Sequence, residues 1–381
     1  GNHKLKESGL LNHRLFLNDG KANFTYQENA FPAFGFNTGV MVPMDFDGDG
    51  DMDVFVGARN TPLKYGVTPT SALYMNYGKG KYTDQTATIA PAFAQLGMVT
   101  SANWNSIIGK QGNQLIVAGD YMYPIIFTYK GGKFVEEKTN LNNLFGWWQT
   151  IQVVDLNGDG LKDLVLGNMG KNGYLKPTPE APVKLWMNDF DGNESLDKIL
   201  TRTVDGKDVP VFLKAEMQEQ IPLLKKENLN YEVYAKKSFQ ELFKPEAIEK
   251  AVVKTYNYCS SIIAWNKGGG QFEVEELPID VQFSSLNAIL PFDINGDQKM
   301  DLILGGNLFG FMPQFGRLDA NYGLVLINQG AKHFTVLEDK ASGLSITGQV
   351  KDILNLPGKS GQQILFIRND DYPVLLKANK N

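Results

Sequence analysis

The segment Asp45–Gly57 reads DFDGDGDMDVFVG, in which nine residues rich in aspartate and glycine lead into a short apolar run. Two further segments follow the same plan, DLNGDGLKDLVLG at Asp155–Gly167 and DINGDQKMDLILG at Asp293–Gly305. A looser copy, DFDGNESLDKIL, spans Asp189–Leu200. Because one acidic turn followed by a strand pattern recurs along the chain, the sequence predicts a repeat architecture.

A second motif, an apolar strand followed by N-x-G-x-x-x-aromatic, alternates with the acidic segments. It occurs at Asn18–Phe24, Asn76–Tyr82, Asn266–Phe272 and Asn328–Phe334. Partial copies place Thr128, Asn188 and Lys377 at the asparagine position. Asparagine and glycine accept positive φ at low cost, so each copy predicts a β-hairpin.

The spacing of the hairpins predicts the fold. Neighbouring copies are roughly 50 to 60 residues apart, as expected for units of about four strands. One longer step contains a helical pattern at 214–253, where Pro245 suits a helix start. We therefore predict an all-β protein in which residues 1–381 form a single seven-bladed β-propeller with a helical insertion at 214–253. The alternative is six blades, with strands near 14–26 joining strands near 350–377 to close the ring.

The acidic segments carry a metal-binding spacing. Side-chain oxygens recur at positions one, three, five and nine, and position seven offers a backbone carbonyl. Hard oxygen ligands without histidine or cysteine favour Ca²⁺. An EF-hand is excluded because it requires a glutamate at position twelve and flanking helices. The predicted ligands are Asp45, Asp47, Asp49, Asp51 and Asp53; Asp155, Asn157, Asp159, Leu161 and Asp163; Asp189, Asp191, Asn193, Ser195 and Asp197; and Asp293, Asn295, Asp297, Lys299 and Asp301.

Charge favours bound cations over simple exposed turns. Fourteen aspartates lie in the four nine-residue windows. Several carboxylates in one loop repel each other unless a cation neutralises them. We therefore expect three to four structural Ca²⁺ sites.

The composition excludes several classes of function. The single cysteine, Cys259, excludes an internal disulfide framework and cysteine-based zinc sites, and only three histidines are present. The net charge of −5 argues against nucleic acid as a partner. No apolar run approaches the roughly 18 residues that a membrane-spanning helix needs, so we expect no membrane insertion within this segment.

The acidic strings resemble the FG-GAP/VCBS repeat, the calcium-loop propeller repeat of integrin α-subunits. The wider chain resembles bacterial VCBS-repeat proteins associated with an ASPIC/UnbV-type domain, on strings such as GWWQTIQVVDLNGDG and GRLDANYGLVLINQG. The resemblance implies a seven-bladed propeller with calcium in the loop between the first two strands of a blade. It also implies an exported or cell-surface location, often within a longer polypeptide. Several units lack the acids, and the first lacks its acidic strand pair.

The long connections that follow the second strands are expected on the face opposite the calcium loops. They offer aromatic and basic side chains that can stack on or hydrogen-bond a ligand. The candidate ligand-binding residues are Arg59, Tyr65, Tyr121, Trp147, Trp148, Phe309 and Arg317. Packing between blades is the alternative role, above all for Trp147 and Trp148.

These patterns predict a non-catalytic, calcium-stabilised propeller that binds a protein or glycan at a bacterial surface. The motifs G-x-S-x-G, H-E-x-x-H and G-x-x-x-x-G-K-[ST] are absent from the sequence. The alternative is a glycan-active hydrolase or lyase with a site in the central channel. Two carboxylates about 5–10 Å apart in such a channel would favour it.

Overall fold

The computed structural model describes residues 9–78, 80–109, 112–227, 230–311, 315–358 and 361–377. Within these ranges the strands form seven sheets, and neighbouring strands pair antiparallel. The predicted all-β class is confirmed. None of the described helices is long and apolar enough to cross a membrane.

Four sheets share one plan, in which four strands pair in the order first, second, third and fourth. Their strands are β3 (Asn37–Met44), β4 (Asp53–Asn60), β5 (Ala72–Asn76) and β6 (Tyr82–Asp84); β7 (Met98–Asn105), β8 (Gln114–Met122), β9 (Ile125–Lys130) and β10 (Lys133–Glu136); β12 (Thr150–Val154), β13 (Asp163–Gly167), β18 (Ile262–Asn266) and β19 (Phe272–Glu276); and β20 (Leu286–Phe292), β21 (Asp301–Gly306), β22 (Leu324–Gly330) and β23 (His333–Val336). The short strand β11 (Gly146–Trp147) also pairs with β8.

The two ends of the chain form incomplete versions of this plan. A hairpin of β1 (Leu15–Asn18) and β2 (Phe24–Gln27) carries the asparagine motif of a third and fourth strand. The last sheet has three strands, β24 (Gln349–Gly358), β25 (Gly361–Asn369) and β26 (Val374–Lys377). Both edges of β25 are already paired, and the hairpin forms a separate sheet among the described residues. The predicted joining of these two regions is not seen in the described part of the chain.

The insertion is longer than the predicted helical stretch. Strand β13 ends at Gly167 and pairs with β18, which begins at Ile262, so the chain between them is inserted into one sheet. The insertion has its own sheet, in the order β16-β15-β14-β17. Its elements are β14 (Val183–Asn188), β15 (Asp197–Val204), β16 (Lys207–Pro210) and β17 (Val252–Tyr256), with helices at Lys214–Gln220, Leu223–Glu227, Tyr231–Ala235, Phe239–Leu242 and Pro245–Glu249. The unit at Asn188 is therefore part of the insertion and not a copy of the four-stranded plan.

The repeated sheets pack against one another in chain order. Strands β3 and β4 pack on β7, β7 packs on β12, β12 packs on β20, and β20 packs on β24. Each second strand is paired on both edges within its own sheet and also contacts the next sheet. Every residue of β13 and β21 is buried. Burial on both faces explains why the acidic segments end in continuous apolar runs instead of alternating ones.

The glycine that closes three of the four acidic segments allows this close packing. A Cβ atom at Gly167 would lie 2.2 Å from the carbonyl oxygen of Leu286 in β20. A Cβ at Gly57 would lie 2.6 Å from Val99 Cγ1, and one at Gly305 would lie 2.7 Å from Val350 Cγ1. In each case the contact is with the first strand of the next sheet, so a side chain there would push the sheets apart.

Candidate metal centre

The acidic loops occupy equivalent places in the fold. Loop 1 (45–53) joins β3 to β4, loop 2 (155–163) joins β12 to β13, and loop 3 (293–301) joins β20 to β21. Each thus connects the first and second strands of a repeated sheet. Loop 4 (189–197) joins β14 to β15 in the inserted sheet.

All four loops share one backbone conformation. The residues at positions four and six have positive φ throughout. At position six these are Gly50 and Gly160 in loops 1 and 2, but Glu194 (φ 65°) and Gln298 (φ 68°) in loops 4 and 3. The left-handed conformation is therefore retained where glycine is replaced, although side chains adopt it at a cost.

The first aspartate fixes this conformation by accepting backbone hydrogen bonds. Asp155 Oδ1 accepts from Gly158 N at 2.8 Å, and Asp155 Oδ2 accepts from Gly160 N at 2.9 Å. Asp45, Asp189 and Asp293 accept from the same two positions of their own loops. The pattern turns each loop around its first carboxylate.

The middle positions form a second set of contacts. In each loop the residue at position five accepts from the backbone N–H at position seven, the donors being Asp51, Leu161, Ser195 and Lys299. Asp47, Asn157 and Asn295, at position three, accept from the N–H at position five. These contacts order the side chains that carry the candidate ligand oxygens. Asp159 Oδ2 and Asp297 Oδ2 also accept from Asn157 Nδ2 and Lys299 Nζ.

The aspartate at position nine lies at the start of the second strand and is buried in every loop. Asp163 Oδ2 accepts from Leu156 N at 3.0 Å, and its Oδ1 accepts from Asn266 N at 2.9 Å. Asp301 accepts in the same way from Ile294 N and Asn328 N. The buried carboxylate thus ties its loop to the third strand of the same sheet.

The hairpin asparagines have a role that the sequence motifs do not predict. Asn328 Nδ2 donates to Leu156 O of loop 2 at 2.7 Å and to Met300 O of its own loop at 3.1 Å. Asn266 Nδ2 donates to Ile107 O and Lys162 O. The turn motif accounts for these asparagines locally, while their side chains link neighbouring sheets. Their fixed position after a buried third strand was the available signal.

Two loops gather carboxylates closely enough to hold one ion. Carboxylate oxygens of Asp45, Asp47 and Asp49 lie within 4.8 Å of one another, as do those of Asp189, Asp191 and Asp197. Asp53 Oδ2 and Asp191 Oδ1 are buried and have no hydrogen-bond partner among the described residues. An unpaired buried carboxylate oxygen is costly unless a cation neutralises it, so these donor sets fit a hard divalent cation.

The pKa values of the position-nine carboxyls reflect the same environment. Burial, reinforced by the charges of Asp47 and Asp49, raises the pKa of Asp53 to about 6. Burial also raises the pKa values of Asp163, Asp197 and Asp301 above their ordinary range.

The β7–β10 sheet has no acidic loop between its first two strands and shows what a neutral replacement looks like. In the β7–β8 connection, Gln114 takes the place of the buried aspartate and is 1% exposed. Its Oε1 accepts from Ile107 N and Ile108 N, both at 2.9 Å. A neutral amide can therefore accept the backbone N–H groups of this connection. The carboxylates in the other loops are not needed for that hydrogen bonding alone.

At the opposite ends of the strands, three of the predicted ligand-binding residues meet. Arg59 Nη1 lies 2.7 Å from Asp120 Oδ2, and the Tyr65 hydroxyl donates to the same oxygen at 2.9 Å. The ring of Tyr65 contacts that of Tyr121 at a centroid distance of 6.4 Å. Because Asp120 is only 4% exposed, these side chains are anchored to a buried acid.

The two tryptophans have different surroundings. Trp147 stacks on Tyr256 at a centroid distance of 4.4 Å, and its neighbour Tyr121 is edge-on at 5.4 Å. Trp148 is fully buried, and its Nε1 donates to Leu144 O at 3.2 Å. Trp148 directly follows β11 and packs inside the protein core.

The remaining candidates lie on the long connection after β21. The Arg317 guanidinium lies over the Phe309 ring, 3.9 Å from its centroid. Phe311 and Phe315 of this connection line a cavity of about 20 Å³ together with Trp147 and Tyr256. The aromatic side chains thus fill most of the space between them, while Tyr65 and Tyr174 are partly exposed, at 38% and 43%.

Comparisons with known proteins do not place the chain in a family. No family model matches the sequence, and no curated protein matches it. Among solved structures the chain is similar to the V. cholerae biofilm matrix protein Bap1, at 9% identity and a TM-score of 0.33. The alignment covers 96% of this chain and 73% of that chain. At this TM-score the likeness carries no argument about fold or function.

Proposed function

We propose that the chain is a non-catalytic, calcium-binding β-propeller segment of an exported or cell-surface protein that holds a protein or glycan ligand. The observation that carries the proposal is the shared geometry of the four acidic loops. Each is folded by its own carboxylates, and two of them leave a buried carboxylate oxygen without a partner among the described residues.

A propeller is supported by the way the repeated sheets succeed one another. Each first strand packs on the first strand of the next sheet, and the strand order within the sheets is constant. We propose six repeated units within this chain, because the unit at Asn188 belongs to the inserted sheet. The hairpin β1–β2 is the outer pair of one unit, and β24–β26 are three strands of another.

Calcium has a structural role in this proposal. The loops are pinned to the first and second strands of their sheets, and the buried aspartates connect them to third strands. In loops 1 and 4, a bound cation would remove repulsion among carboxylates whose oxygens lie within 4.8 Å of one another. Four bound Ca²⁺ ions would also change the formal charge of the chain from −5 to about +3.

The ligand face is proposed at the opposite ends of the strands. There the connections after the second strands carry Tyr65, Tyr174 and Arg317, which remain partly or largely exposed. Aromatic and guanidinium groups on adjacent connections suit a sugar or peptide ligand.

Calorimetry with and without chelator tests the proposal. The melting temperature should rise with free Ca²⁺. At a free Ca²⁺ concentration one hundred times the Kd, one site adds about 2.7 kcal/mol to the free energy of unfolding. In titration calorimetry, the double variant Asp45→Asn, Asp49→Asn should bind one Ca²⁺ fewer. The control Asp205→Asn alters an exposed turn aspartate outside the four loops and should bind as the unmodified protein does. If the melting temperature is the same in Ca²⁺ and in chelator, Ca²⁺ does not stabilise the fold and the proposed structural role is wrong.

A further inference from the structure

A cavity of about 340 Å³ lies between loop 4 and the helices of the insertion. Its floor is apolar and includes Ile221, Leu224, Leu242 and Phe243. These side chains are 0–9% exposed, so the floor is a recess in a packed core. The volume falls in the range of about 300–1,000 Å³ that is typical of small-molecule sites.

The rim of the same cavity is charged. Asp189 and Asp191 of loop 4 form one side, and Lys244, Glu246 and Lys250 at the last helix of the insertion form the other. The rim has one net negative charge without a metal ion, and a divalent cation at loop 4 would give it one net positive charge. The cation would thus decide which sign of ligand charge is favoured.

Loop 4 differs from the other loops in facing this cavity. Asp191 Oδ1 is buried and lacks a hydrogen-bond partner among the described residues. Asp191 itself lines the cavity, whereas Asp197 is held from the helical side by Gln220 Nε2 at 3.4 Å. The insertion therefore encloses one acidic loop together with an apolar recess.

We propose that this cavity binds a small monocarboxylate with an apolar tail when Ca²⁺ occupies loop 4. The tail lies on the apolar floor, and the carboxylate lies at the rim, where the cation and the two lysines favour negative charge. An amine is disfavoured in the calcium-bound state because the rim is then positive. This inference rests on the proposed calcium binding at loop 4, and it adds a ligand site separate from the proposed ligand face.

To test this inference, the whole chain is titrated with sodium octanoate in Ca²⁺ and in EGTA, and calorimetry measures the binding. We expect binding in Ca²⁺ that is at least tenfold weaker in EGTA, and weaker for butanoate than for octanoate because less apolar surface is buried. Leu223 lines the cavity and is 38% exposed, so Leu223→Trp can fill the recess without disturbing the core. This variant should lose octanoate binding while its Ca²⁺ stoichiometry stays unchanged.

Two matched variants separate the inference from the proposed function. Leu213→Trp alters a 63% exposed leucine of the same insertion that does not line the cavity, and it should bind octanoate normally. Asp191→Asn should reduce the Ca²⁺ stoichiometry by one and abolish octanoate binding. Suppose that Asp191→Asn lowers the Ca²⁺ stoichiometry, but octanoate either does not bind the unmodified protein or binds Leu223→Trp equally well. The inference then fails, while the proposed calcium sites stand. If Asp191→Asn leaves the stoichiometry unchanged, or octanoate binds equally in EGTA, the metal-dependent site is overturned.

Discussion

Loop 2 and loop 4 have nearly the same local structure but are supported by different surroundings. In loop 2, Asp163 accepts two backbone N–H groups, one from its own loop and one from the hairpin at Asn266. In loop 4, Asp197 accepts one backbone N–H, from Phe190, and a longer bond from the side chain of Gln220. The nine-residue pattern therefore specifies the loop conformation, while the fold around it determines how strongly the loop is anchored.

The largest expected effect comes from removing the buried carboxylate. Asp163→Ala leaves two buried N–H groups without an acceptor and should lower the free energy of unfolding by about 2–5 kcal/mol. Asp197→Ala leaves one backbone N–H unpaired and should cost about 1–2 kcal/mol. Urea unfolding in EGTA measures both values without a contribution from metal.

Asp205→Asn serves as the control, because this aspartate is exposed in a turn of the inserted sheet and asparagine also accepts its positive φ. It should change stability by less than about 0.5 kcal/mol. Equal losses for Asp163→Ala and Asp197→Ala would contradict the difference in anchoring between the two loops.

The sequence predicted the local features of both regions and missed their placement. The alternation of acidic turns, apolar runs and N-x-G hairpins predicts the all-β class and the strands around each loop, since these features depend on neighbouring residues. The pairing of β13 with β18 brings Gly167 next to a strand that begins at Ile262, and no local pattern reports such a long-range pairing. Asn188 therefore looked like one more repeated hairpin, although its strand lies within the insertion.

The geometry of the predicted metal ligands was easier to predict from the sequence than that of the predicted ligand face. The metal ligands are close in sequence, so their spacing anticipates the shared turn geometry. Trp147 and Tyr256 are far apart in sequence, and their stacking depends on the packing of the insertion against β11. The sequence therefore could not distinguish packed aromatic side chains from exposed ones on that face.

A second pair of variants tests whether the loop backbone is under strain where glycine is absent. Gln298→Gly in loop 3 and Glu194→Gly in loop 4 each relieve a side chain at positive φ. Each should raise the free energy of unfolding by a net value of about 1 kcal/mol. Relief of the positive φ stabilises the fold, and the greater flexibility of glycine in the unfolded chain offsets part of that gain. Thermal unfolding in EGTA is the measurement.

The reciprocal change provides the comparison. Gly160→Gln introduces a side chain at φ 84° in loop 2, where no heavy atom lies within 4 Å of the position that a Cβ atom would take. Any loss of stability therefore reflects backbone conformation and not a clash. The variant should be less stable by about 1–2 kcal/mol. Were Gln298→Gly destabilising while Gly160→Gln had no effect, loops 2 and 3 would not share a common backbone requirement.

The smallest expected effect concerns competition for a ligand oxygen in loop 3. Lys299 Nζ lies 3.1 Å from Asp297 Oδ2, whereas loop 2 has Leu161 at the same position. The ammonium group must leave before a cation can use that oxygen, so Lys299→Leu should raise the Ca²⁺ affinity of loop 3 roughly two- to threefold at low salt. The gain should shrink as salt screens the exposed charges.

Titration calorimetry isolates loop 3 in a background that carries Asp49→Asn, Asp159→Asn and Asp191→Asn, because each of these changes weakens one of the other loops. Lys267→Leu is the matched control, since it removes an exposed lysine that pairs with Glu273 outside the loops. It should leave the Ca²⁺ affinity unchanged. An equal gain from Lys299→Leu and Lys267→Leu would assign the effect to the overall charge of the chain and not to the contact with Asp297.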